Sequence, residues 1–528
     1  MDLDELIAAL SLPSAYLHPV SEVEVRQTHI SAVFLAGPYA FKLKKPVKLA
    51  FLDFSTLEKR KHFCEEEVRL NRRLAADTYL GVVPIVATSE GVRVESDGEV
   101  LDWAVKMRRL PETATLLERL RRSEVGTADV EAIGERIASF HRSAETSERI
   151  ARFGRFEGVS RIILDVLDQS VPHRGRTVSE SVHRRVRELI ENTLDRFHDL
   201  IDSRAARKMP RDTHGDLHLD HIYLFPEREP PGNQVIVDCI EFNERFRFTD
   251  PIADSAFPVM DFVFRGRRDL AKSFADAYIR SSGDDEGAAL LPLYTAYRAT
   301  VRGSVEGLLL EEKEVPQAER QAALPRARAH WLLALGELEE PARKPCLVMV
   351  GGLPGTGKSS VAAGLAERAG FSVIRSDVVR KELAGLPGDP QKQAMLLPAM
   401  YSADWTERTY AECLHRAEAL LFEGKRVLID ATFREERQRR LFLDAAVRSG
   451  VPAAFLMCET TPAMVRRRLE QRRGDVSDAD WSIYLEFARA WEPPGADTEQ
   501  SMHRISTEGS RQSALSAALE QLQQLGLC

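Results

Sequence analysis

The chain has 528 residues, of which 44% are hydrophobic and 29% charged, and its formal net charge is −8. This length predicts more than one hydrophobic core, and the negative charge argues weakly against a protein that coats nucleic acid. No apolar run is long enough to cross a bilayer, and the acidic N-terminus lacks the basic segment of a secretory signal. The six cysteines are scattered without a C-x-x-C pair. We therefore expect a cytoplasmic protein with no disulfide framework and no zinc site.

The first part of the chain predicts a small β-rich lobe that is followed by a large helical lobe. Runs of β-forming residues on either side of Gly37-Pro38 indicate a hairpin. From about residue 113 onward the pattern is mostly helical. The individual predictions are strands at 30–35 and 39–43, a helix at about 56–75, and two further strands at 92–94 and 101–107 with a turn between them.

A motif in the helical lobe contains candidate catalytic residues. Residues 214–223 read HGDLHLDHIY, and residues 235–242 read VIVDCIEF. This sequence resembles the catalytic loop of aminoglycoside phosphotransferases and of the wider protein-kinase-like fold, H-x-D-x-x-x-x-N followed by a metal-binding Asp. The resemblance implies that Asp216 is the catalytic base and that Asp238, or alternatively Glu241, binds magnesium. Such a site needs one carboxylate near the acceptor hydroxyl and another that holds the Mg²⁺ on the phosphates. A D-P-x-x-D segment at 250–254 fits the resemblance as well.

One position departs from this pattern, because His221 stands where the family has a metal-binding Asn. Magnesium prefers oxygen ligands, and a neutral imidazole is a poor substitute. Three explanations stay open: Asp220 replaces the Asn, the lobe uses a single metal ion, or its phosphotransferase activity is weakened.

The same resemblance implies a nucleotide-binding lysine on a strand of the small lobe and a glutamate on the next helix. Residues 39–46, YAFKLKKP, supply the lysine, and residues 65–67 supply the acid. We assign Lys42 and Glu67 to these roles. Lys44 remains an alternative, since residues two apart on a strand share a face. No glycine-rich loop is evident, and the resemblance covers most of residues 25–330.

Residues 338–345, LEEPARKP, contain two prolines and alternating charge, which is typical of a domain boundary. A helix is predicted before them, from Ala318 to Leu338. After them, short apolar runs alternate with helical segments, a pattern that indicates a parallel sheet covered on both faces. We predict an α+β bilobal, protein-kinase-like domain over residues 1–338 and an α/β P-loop domain over 346–528. The second domain has four predicted strands, at residues 347–350, 373–375, 427–429 and 454–457, and a possible fifth strand at 503–506.

The second domain opens on a strand, a glycine loop and a helix, with the full G-x-x-x-x-G-K-S pattern. In such a loop, backbone N–H groups wrap the phosphates, the lysine reaches the terminal phosphates and the serine holds Mg²⁺. The predicted ATP-binding residues are Gly352, Gly355, Thr356, Gly357, Lys358, Ser359 and Ser360, and Ser359 is also a predicted metal ligand.

Three further segments favour a kinase over a mechanical ATPase. They resemble small P-loop kinases similar to polynucleotide kinase, zeta toxin and gluconate kinase, and this resemblance implies Asp377 as base and Arg380 as acceptor ligand. Asp377 could instead cap a helix. Asp430 ends a buried strand, as a magnesium-positioning Asp does. Arg468 and Arg472 fit a lid that stabilises transferring charge, although a solvated helix face is an equal alternative.

The tandem as a whole looks like the bacterial bifunctional proteins that join an aminoglycoside phosphotransferase-like domain to a P-loop ATP-binding domain. We first interpret the protein as an ATP- and Mg²⁺-dependent kinase that phosphorylates the hydroxyl group of a small molecule. Two alternatives stay open: the N-terminal lobe is a non-catalytic regulatory module, or the protein is a nucleic-acid 5′-hydroxyl kinase. The fold does not identify the acceptor, and the sequence leaves the oligomeric state open.

Overall fold

The computed structural model describes residues 1–49, 51–311, 315–385, 402–471 and 480–528. They form two compact units. The first contains residues 1–160, 197–261 and 268–291, and the second contains residues 161–196, 262–267 and 292–528. Three segments that precede residue 338 thus group with the C-terminal residues, and the domain boundary at residues 338–346 stays a prediction. No helix among these described ranges is long and apolar enough to span a membrane.

The first unit is built on a six-stranded antiparallel sheet of order β1-β2-β3-β8-β6-β7. Its strands are β1 (Val23–Gln27), β2 (Ser31–Ala36), β3 (Tyr39–Lys44), β6 (Tyr79–Thr88), β7 (Gly91–Val94) and β8 (Glu99–Arg108), and β4 (Lys48–Leu49) pairs with β5 (Leu52–Asp53) beside it. The predicted hairpin is confirmed as β2 and β3, with Val33 opposite Lys42. Phe41 and Leu43 of β3 enter the core on one face of the strand, which leaves Lys42 and Lys44 together on the other.

Strand β6 was not predicted, although it is one of the two longest in the sheet. It carries Pro84, and a proline within a run of β-forming residues argues against a central strand. Pro84 is paired with Trp103 of β8, and it lies just before the stretch Ile85–Thr88 that pairs with β7. Strand β6 lies between β7 and β8 in the sheet. The turn predicted between residues 94 and 101 therefore connects β7 to β8, which are not neighbouring strands.

Helices supply the rest of both units. The helix predicted at 56–75 is confirmed, and it begins where the Thr56 side chain accepts a hydrogen bond from the Lys59 amide at 3.3 Å, a common way to satisfy the first free N–H groups. The helices up to residue 338 are α1 (Leu3–Leu10), α2 (Leu57–Ala75), α3 (Leu116–Arg121), α4 (Thr127–Ser143), α5 (Glu148–Phe153), α6 (Phe156–Gln169), α7 (Glu180–Ala206), α8 (Glu244–Arg247), α9 (Pro251–Phe264), α10 (Arg268–Ser282), α11 (Leu291–Leu309) and α12 (Gln317–Leu338).

Two short antiparallel pairs of strands flank the HGDLHLDH motif of the first unit. Strand β10 (Ile222–Leu224) pairs with β11 (Gln234–Ile236), and β9 (Arg211–Asp212) pairs with β12 (Phe248–Thr249), both antiparallel. The HGDLHLDH motif lies between β9 and β10, and Asp238 follows β11. These two pairs therefore bring the two halves of the motif to one place.

The second unit contains a five-stranded, fully parallel sheet of order β14-β15-β13-β16-β17. Its strands are β13 (Leu347–Gly351), β14 (Ser372–Arg375), β15 (Val427–Asp430), β16 (Ala453–Glu459) and β17 (Met502–Ser506), which confirms all five predicted strands. The helices around it are α13 (Lys358–Ala369), α14 (Ser376–Leu383), α15 (Ala403–Phe422), α16 (Glu436–Arg448), α17 (Pro462–Glu470), α18 (Trp481–Arg489), α19 (Ala496–Ser501) and α20 (Arg511–Gln524). Residues that follow the strands meet at one edge, where open α/β sheets bind ligands.

Candidate active sites

The first unit brings Lys42, Glu67 and Asp238 together. The Lys42 ammonium lies 2.9 Å from Glu67 Oε1 and 2.6 Å from Asp238 Oδ1. Strand β3 presents the lysine, helix α2 presents the glutamate and the segment after β11 presents the aspartate. Glu67 is fully buried, whereas the Asp238 side chain is 43% exposed. The Lys42–Glu67 ion pair is thus shielded from solvent, whereas the Asp238 carboxylate is accessible.

The charges of this cluster stabilise one another. Burial would lower the pKa of Lys42, but Asp238, Glu67 and Glu241 outweigh it, and the pKa is raised well above its ordinary value. Partial burial opposes ionisation of Asp238, yet Lys42 holds the pKa of this carboxyl well below its usual range. Lys42 is therefore a cation and Asp238 an anion at neutral pH, as binding of phosphates and of a metal ion requires.

Lys44 occupies a deeper position, where its ammonium contacts Glu67 Oε2 at 2.6 Å and also donates a hydrogen bond to Glu241. The side chains of Lys44 and Glu241 are 1% and 5% exposed. Burial raises the pKa of Glu241, and Lys44 opposes this effect. Of the two candidate metal ligands, Asp238 faces the accessible side, and Glu241 is enclosed with its own cation.

Asp238 has an unusual backbone. Its φ is 65°, in the left-handed region that non-glycine residues seldom adopt. The Tyr79 hydroxyl accepts a hydrogen bond from the Asp238 amide at 3.1 Å, and Asn71 Oδ1 accepts one from the Cys239 amide at 2.9 Å. Strained residues that persist under such constraints cluster at functional sites, and the Asp238 carboxylate contacts Lys42.

Asp254, from the D-P-x-x-D segment, holds the catalytic loop. One carboxylate oxygen accepts the His214 amide hydrogen bond at 3.0 Å, and the other accepts that of Gly215 at 2.8 Å. Burial lowers the pKa of His214 to about 4. The neutral ring bridges the loop to β11, since Nε2 lies 2.9 Å from the Val237 carbonyl and Nδ1 accepts from the Asp216 amide at 3.3 Å.

Asp216, the predicted base, contacts two histidines. His218 Nε2 lies 2.8 Å from Asp216 Oδ1, and His218 Nδ1 lies 3.3 Å from Asp261 Oδ2. Burial opposes protonation of His218, but Asp216 and Asp261 raise its pKa to about 10. Neither His218 nor Asp261 is among the residues predicted from the sequence. The second His of the HGDLH segment was the available signal, whereas Asp261 lies 45 residues after Asp216 in a helix.

His221 lies between the two predicted functional carboxylates. Its Nδ1 is 2.8 Å from the backbone oxygen of Asp216, and its Nε2 is 3.7 Å from Asp238 Oδ2. Asp220, the other candidate for the Asn role, is exposed. The residue that faces Asp238 from the catalytic loop is therefore His221.

In the second unit, the glycine loop joins β13 to α13. A side chain at Gly352, whose φ is 142°, would place its Cβ 2.6 Å from the Cys458 carbonyl oxygen, and one at Gly355, with φ of 79°, would meet Val465 at 2.8 Å. The backbone must therefore pass where only glycine fits. Thr356 donates to the Leu353 carbonyl at 2.8 Å, Gly357 caps α13, and Lys358, Ser359 and Ser360 form its first turn.

Asp430, at the end of β15, lies next to this loop. Burial raises its pKa, an effect that the nearby Lys358 and Ser359 oppose. Arg375 Nε lies 3.3 Å from Asp430 Oδ2, and within the described ranges Asp430 Oδ1 is buried with no hydrogen-bond partner. An unsatisfied buried oxygen needs a ligand or water. The oxygens of Ser359 and Asp430 suit Mg²⁺, which prefers hard oxygen donors.

The predicted acceptor residues lie on α14, directly after the neighbouring strand β14. Arg380 Nη1 is 3.3 Å from Asp377 Oδ1, and Arg380 is buried, whereas Asp377 is partly exposed. Asp377 lies in the first turn of α14. Because β14 and β15 are adjacent and parallel, Asp377 and Asp430 follow strands that end at the same edge of the sheet.

Arg468 of α17 contacts the glycine loop itself. Its Nη1 lies 3.4 Å from the Gly355 carbonyl and 3.3 Å from Thr507 Oγ1. Thr507, which follows β17, in turn donates to the Thr356 carbonyl. Thr507 and Arg375 were not predicted, and the only signal for them is their position just after or at the end of a strand. Arg472 lies outside the described residues.

Comparisons with known proteins match two separate parts of the chain. A model of the phosphotransferase enzyme family matches residues 47–291, and a model of an AAA domain matches residues 347–494. Two solved structures are similar in part: the GDP complex of aminoglycoside 2′-phosphotransferase-IIIa (14% identity, 63% of this chain, 99% of that chain, TM-score 0.39) and a gluconokinase from Sinorhizobium meliloti 1021 (20%, 34%, 93%, 0.25). The two family matches identify the chain as a two-domain protein of the phosphotransferase class, with a kinase-like domain followed by a P-loop domain.

Two curated relatives match nearly the whole chain. Uncharacterized proteins of Mycobacterium bovis and Mycobacterium tuberculosis are each 33% identical over 507 residues, which cover 95% of this chain and 96% of theirs. The chain belongs to the family of these proteins, and the resemblance inferred from the sequence motifs is confirmed.

Proposed function

We propose that the chain is an ATP-dependent kinase with a phosphoryl-transfer site in each unit, and that the P-loop site transfers the γ-phosphate of ATP to a hydroxyl acceptor. The observation that carries the proposal is the recurrence of the same three chemical groups in both units. Each unit presents a lysine for the phosphates, a carboxylate suited to the magnesium of MgATP and a further aspartate for the acceptor. Catalysis of phosphoryl transfer depends mainly on such positioning and charge stabilisation.

In the second unit, Lys358 and the amides of residues 352–359 bind the phosphates, and Ser359 and Asp430 hold the cation. When bound, Mg²⁺ would neutralise negative charge on the phosphates. Asp377 orients the acceptor hydroxyl and takes its proton, and Arg380 fixes the Asp377 carboxylate at 3.3 Å. Arg468, which contacts the glycine loop, stabilises charge on the transferred group.

In the first unit, Lys42 binds phosphate and Glu67 orients Lys42 at 2.9 Å. Asp238 offers its exposed carboxylate to the cation. Asp216 accepts the proton of a small-molecule hydroxyl, with His218 fixing the orientation of that carboxylate at 2.8 Å. Asp254 holds the loop that carries Asp216, so the base is preorganised.

A regulatory role for the first unit is the second candidate, and His221 favours it. An imidazole replaces the expected amide oxygen beside Asp238, and an N-terminal site that binds nucleotide without turnover would then control the P-loop unit. In that case the charged cluster would still bind nucleotide, but no acceptor would be phosphorylated there.

A nucleic-acid 5′-hydroxyl kinase has less support. This candidate relies on the arginine-rich lid that begins at Arg466, and the net charge of −8 argues weakly against it. In the other arginine cluster, at residues 434–440, Arg434 and Arg437 bind Glu435, Arg440 binds Asp444 and Asp497, and the fully buried Arg439 donates to the Phe433 carbonyl at 2.8 Å.

The experiment is transfer of radioactive γ-phosphate by the wild type, Lys358→Ala and Asp216→Ala, screened over sugars, nucleosides, aminoglycosides and 5′-hydroxyl oligonucleotides. We expect each variant to lose a different acceptor-dependent activity by at least about 100-fold. Lys425→Ala and Asp220→Ala, both at exposed positions, are matched controls that should retain both activities. If Lys358→Ala abolishes every activity and Asp216→Ala none, the first unit is regulatory. Labelling of oligonucleotides alone would support the nucleic-acid kinase.

A further inference from the structure

His221 is oriented in the way that metal-binding histidines are. Its Nδ1 lies 2.8 Å from the Asp216 backbone oxygen. A carbonyl oxygen can only accept, so this hydrogen bond places a proton on Nδ1, and in the neutral ring Nε2 then carries the lone pair. Metal-binding histidines are typically held by such a hydrogen bond from the second ring nitrogen to a carbonyl or carboxylate. Nε2 is thus available as a ligand.

The atom that Nε2 faces is the other half of the site. Asp238 Oδ2 lies 3.7 Å from His221 Nε2, while Asp238 Oδ1 is engaged by Lys42 at 2.6 Å. Two ligand bonds of about 2.1 Å each can span this gap. A single cation can therefore contact one imidazole nitrogen and one carboxylate oxygen, and nucleotide phosphates and water complete its coordination, as in sites with few protein ligands.

We propose that His221 and Asp238 form a mixed nitrogen–oxygen site that selects a first-row transition-metal ion, such as Mn²⁺, over Mg²⁺ for the nucleotide of the first unit. Imidazole binds transition metals far better than it binds magnesium, which prefers oxygen. This inference rests on the proposed function, because it names the cation of that same site. The P-loop unit serves as an internal contrast, since Ser359 and Asp430 supply only oxygen. The two sites of one chain would then prefer different cations.

The test is pulsed electron paramagnetic resonance of Mn²⁺ bound to the full-length chain with a non-hydrolysable ATP analogue. We expect a coupling from a directly bound histidine nitrogen, which changes when the protein is prepared with ¹⁵N-labelled histidine. Because the isotope measurement uses the unmutated chain, its result does not depend on a variant that folds. The P-loop site, where the predicted ligands carry no nitrogen, should contribute no such coupling.

Two variants assign the coupling. His221→Asn should remove it and lower the preference of the first site for Mn²⁺ over Mg²⁺ on the order of tenfold, whereas His198→Asn, at an exposed position of the same unit, should change neither. Absence of a histidine coupling while Mn²⁺ and nucleotide occupy the first site overturns the metal inference and leaves the kinase proposal standing. If Lys42→Met does not reduce the nucleotide bound by the chain, the first site itself is wrong, and the metal inference falls with it.

Discussion

Replacing Lys44 with methionine tests whether Lys44 is a structural partner of the Lys42 site. Lys44 is 1% exposed and contacts two buried carboxylates, Glu67 and Glu241. Methionine fills most of the same space but leaves Glu241 without its nearest cation. Removal of one partner from a buried ion pair costs about 3–5 kcal/mol, because the remaining charge is uncompensated. We take about 3 kcal/mol as the expected loss, since Lys42 still neutralises Glu67.

Hydrogen exchange measured by mass spectrometry suits this question, because peptides from α2 and β3 report on the first unit alone. Each 1.4 kcal/mol corresponds to a factor of ten, so these amides should exchange on the order of 100-fold faster in Lys44→Met. The double variant Lys44→Met/Glu241→Gln removes the orphaned charge and should recover most of the loss.

Lys59→Met is the matched control, because Lys59 pairs with Asp53 at 2.6 Å but is 45% exposed. An exposed pair is worth about 0–1 kcal/mol, so exchange should accelerate by a factor of about five at most. The reasoning is refuted if Lys44→Met accelerates exchange no more than Lys59→Met does, or if adding Glu241→Gln makes the loss larger.

Three further predictions concern the two sites. His218, whose pKa Asp216 and Asp261 raise against the effect of burial, stabilises the nucleotide-free fold below its unfolded pKa of about 6.5, and this stabilisation is lost as the pH rises towards 10. Urea unfolding followed from pH 6 to 10 should therefore show a decline that His218→Gln flattens, and an unchanged slope would contradict this. Gly352→Ala should abolish nucleotide binding by the second unit, measured by calorimetry in a Lys42→Met background. Retained affinity would show that the loop can bind nucleotide without the backbone conformation that Gly352 allows. Asp254→Asn, which weakens the grip on the catalytic loop, should lower the turnover of the first site by about 100-fold with the affinity for ATP little changed, and a loss of affinity alone would argue for a different role.

Local sequence signals predicted the glycine loop and the parallel sheet of the second unit, but not that residues 161–196, 262–267 and 292–338 group with them. The glycine loop, the strand before it and the helix after it are consecutive in the chain, and the other four strands are short apolar runs in a parallel sheet. Such elements can be recognised without knowing what they pack against. Arg375 and Thr507 were missed because Arg375 contacts Asp430 of the neighbouring strand and Thr507 contacts the glycine loop across the sheet, and local sequence shows neither contact.

The first unit was harder to predict, because its site is assembled from distant segments. The two-residue period of β3 placed Lys42 and Lys44 on one face but could not decide which of them faces Asp238 and which is enclosed with Glu241. Pro84 argued against a strand at β6, and only the strand pairing shows that it precedes the stretch that β7 covers. Asp261 reaches His218 from a helix, and its role depends on tertiary packing alone.

Equilibrium dialysis with a divalent cation present would count the ATP molecules bound per chain, and this number decides whether both units are nucleotide sites. Two phosphotransferase sites predict two for the wild type, one for Lys42→Met, one for Lys358→Ala and none for the double variant. A wild-type value of one that Lys42→Met leaves unchanged would contradict the account, because the first unit would then not be a nucleotide site.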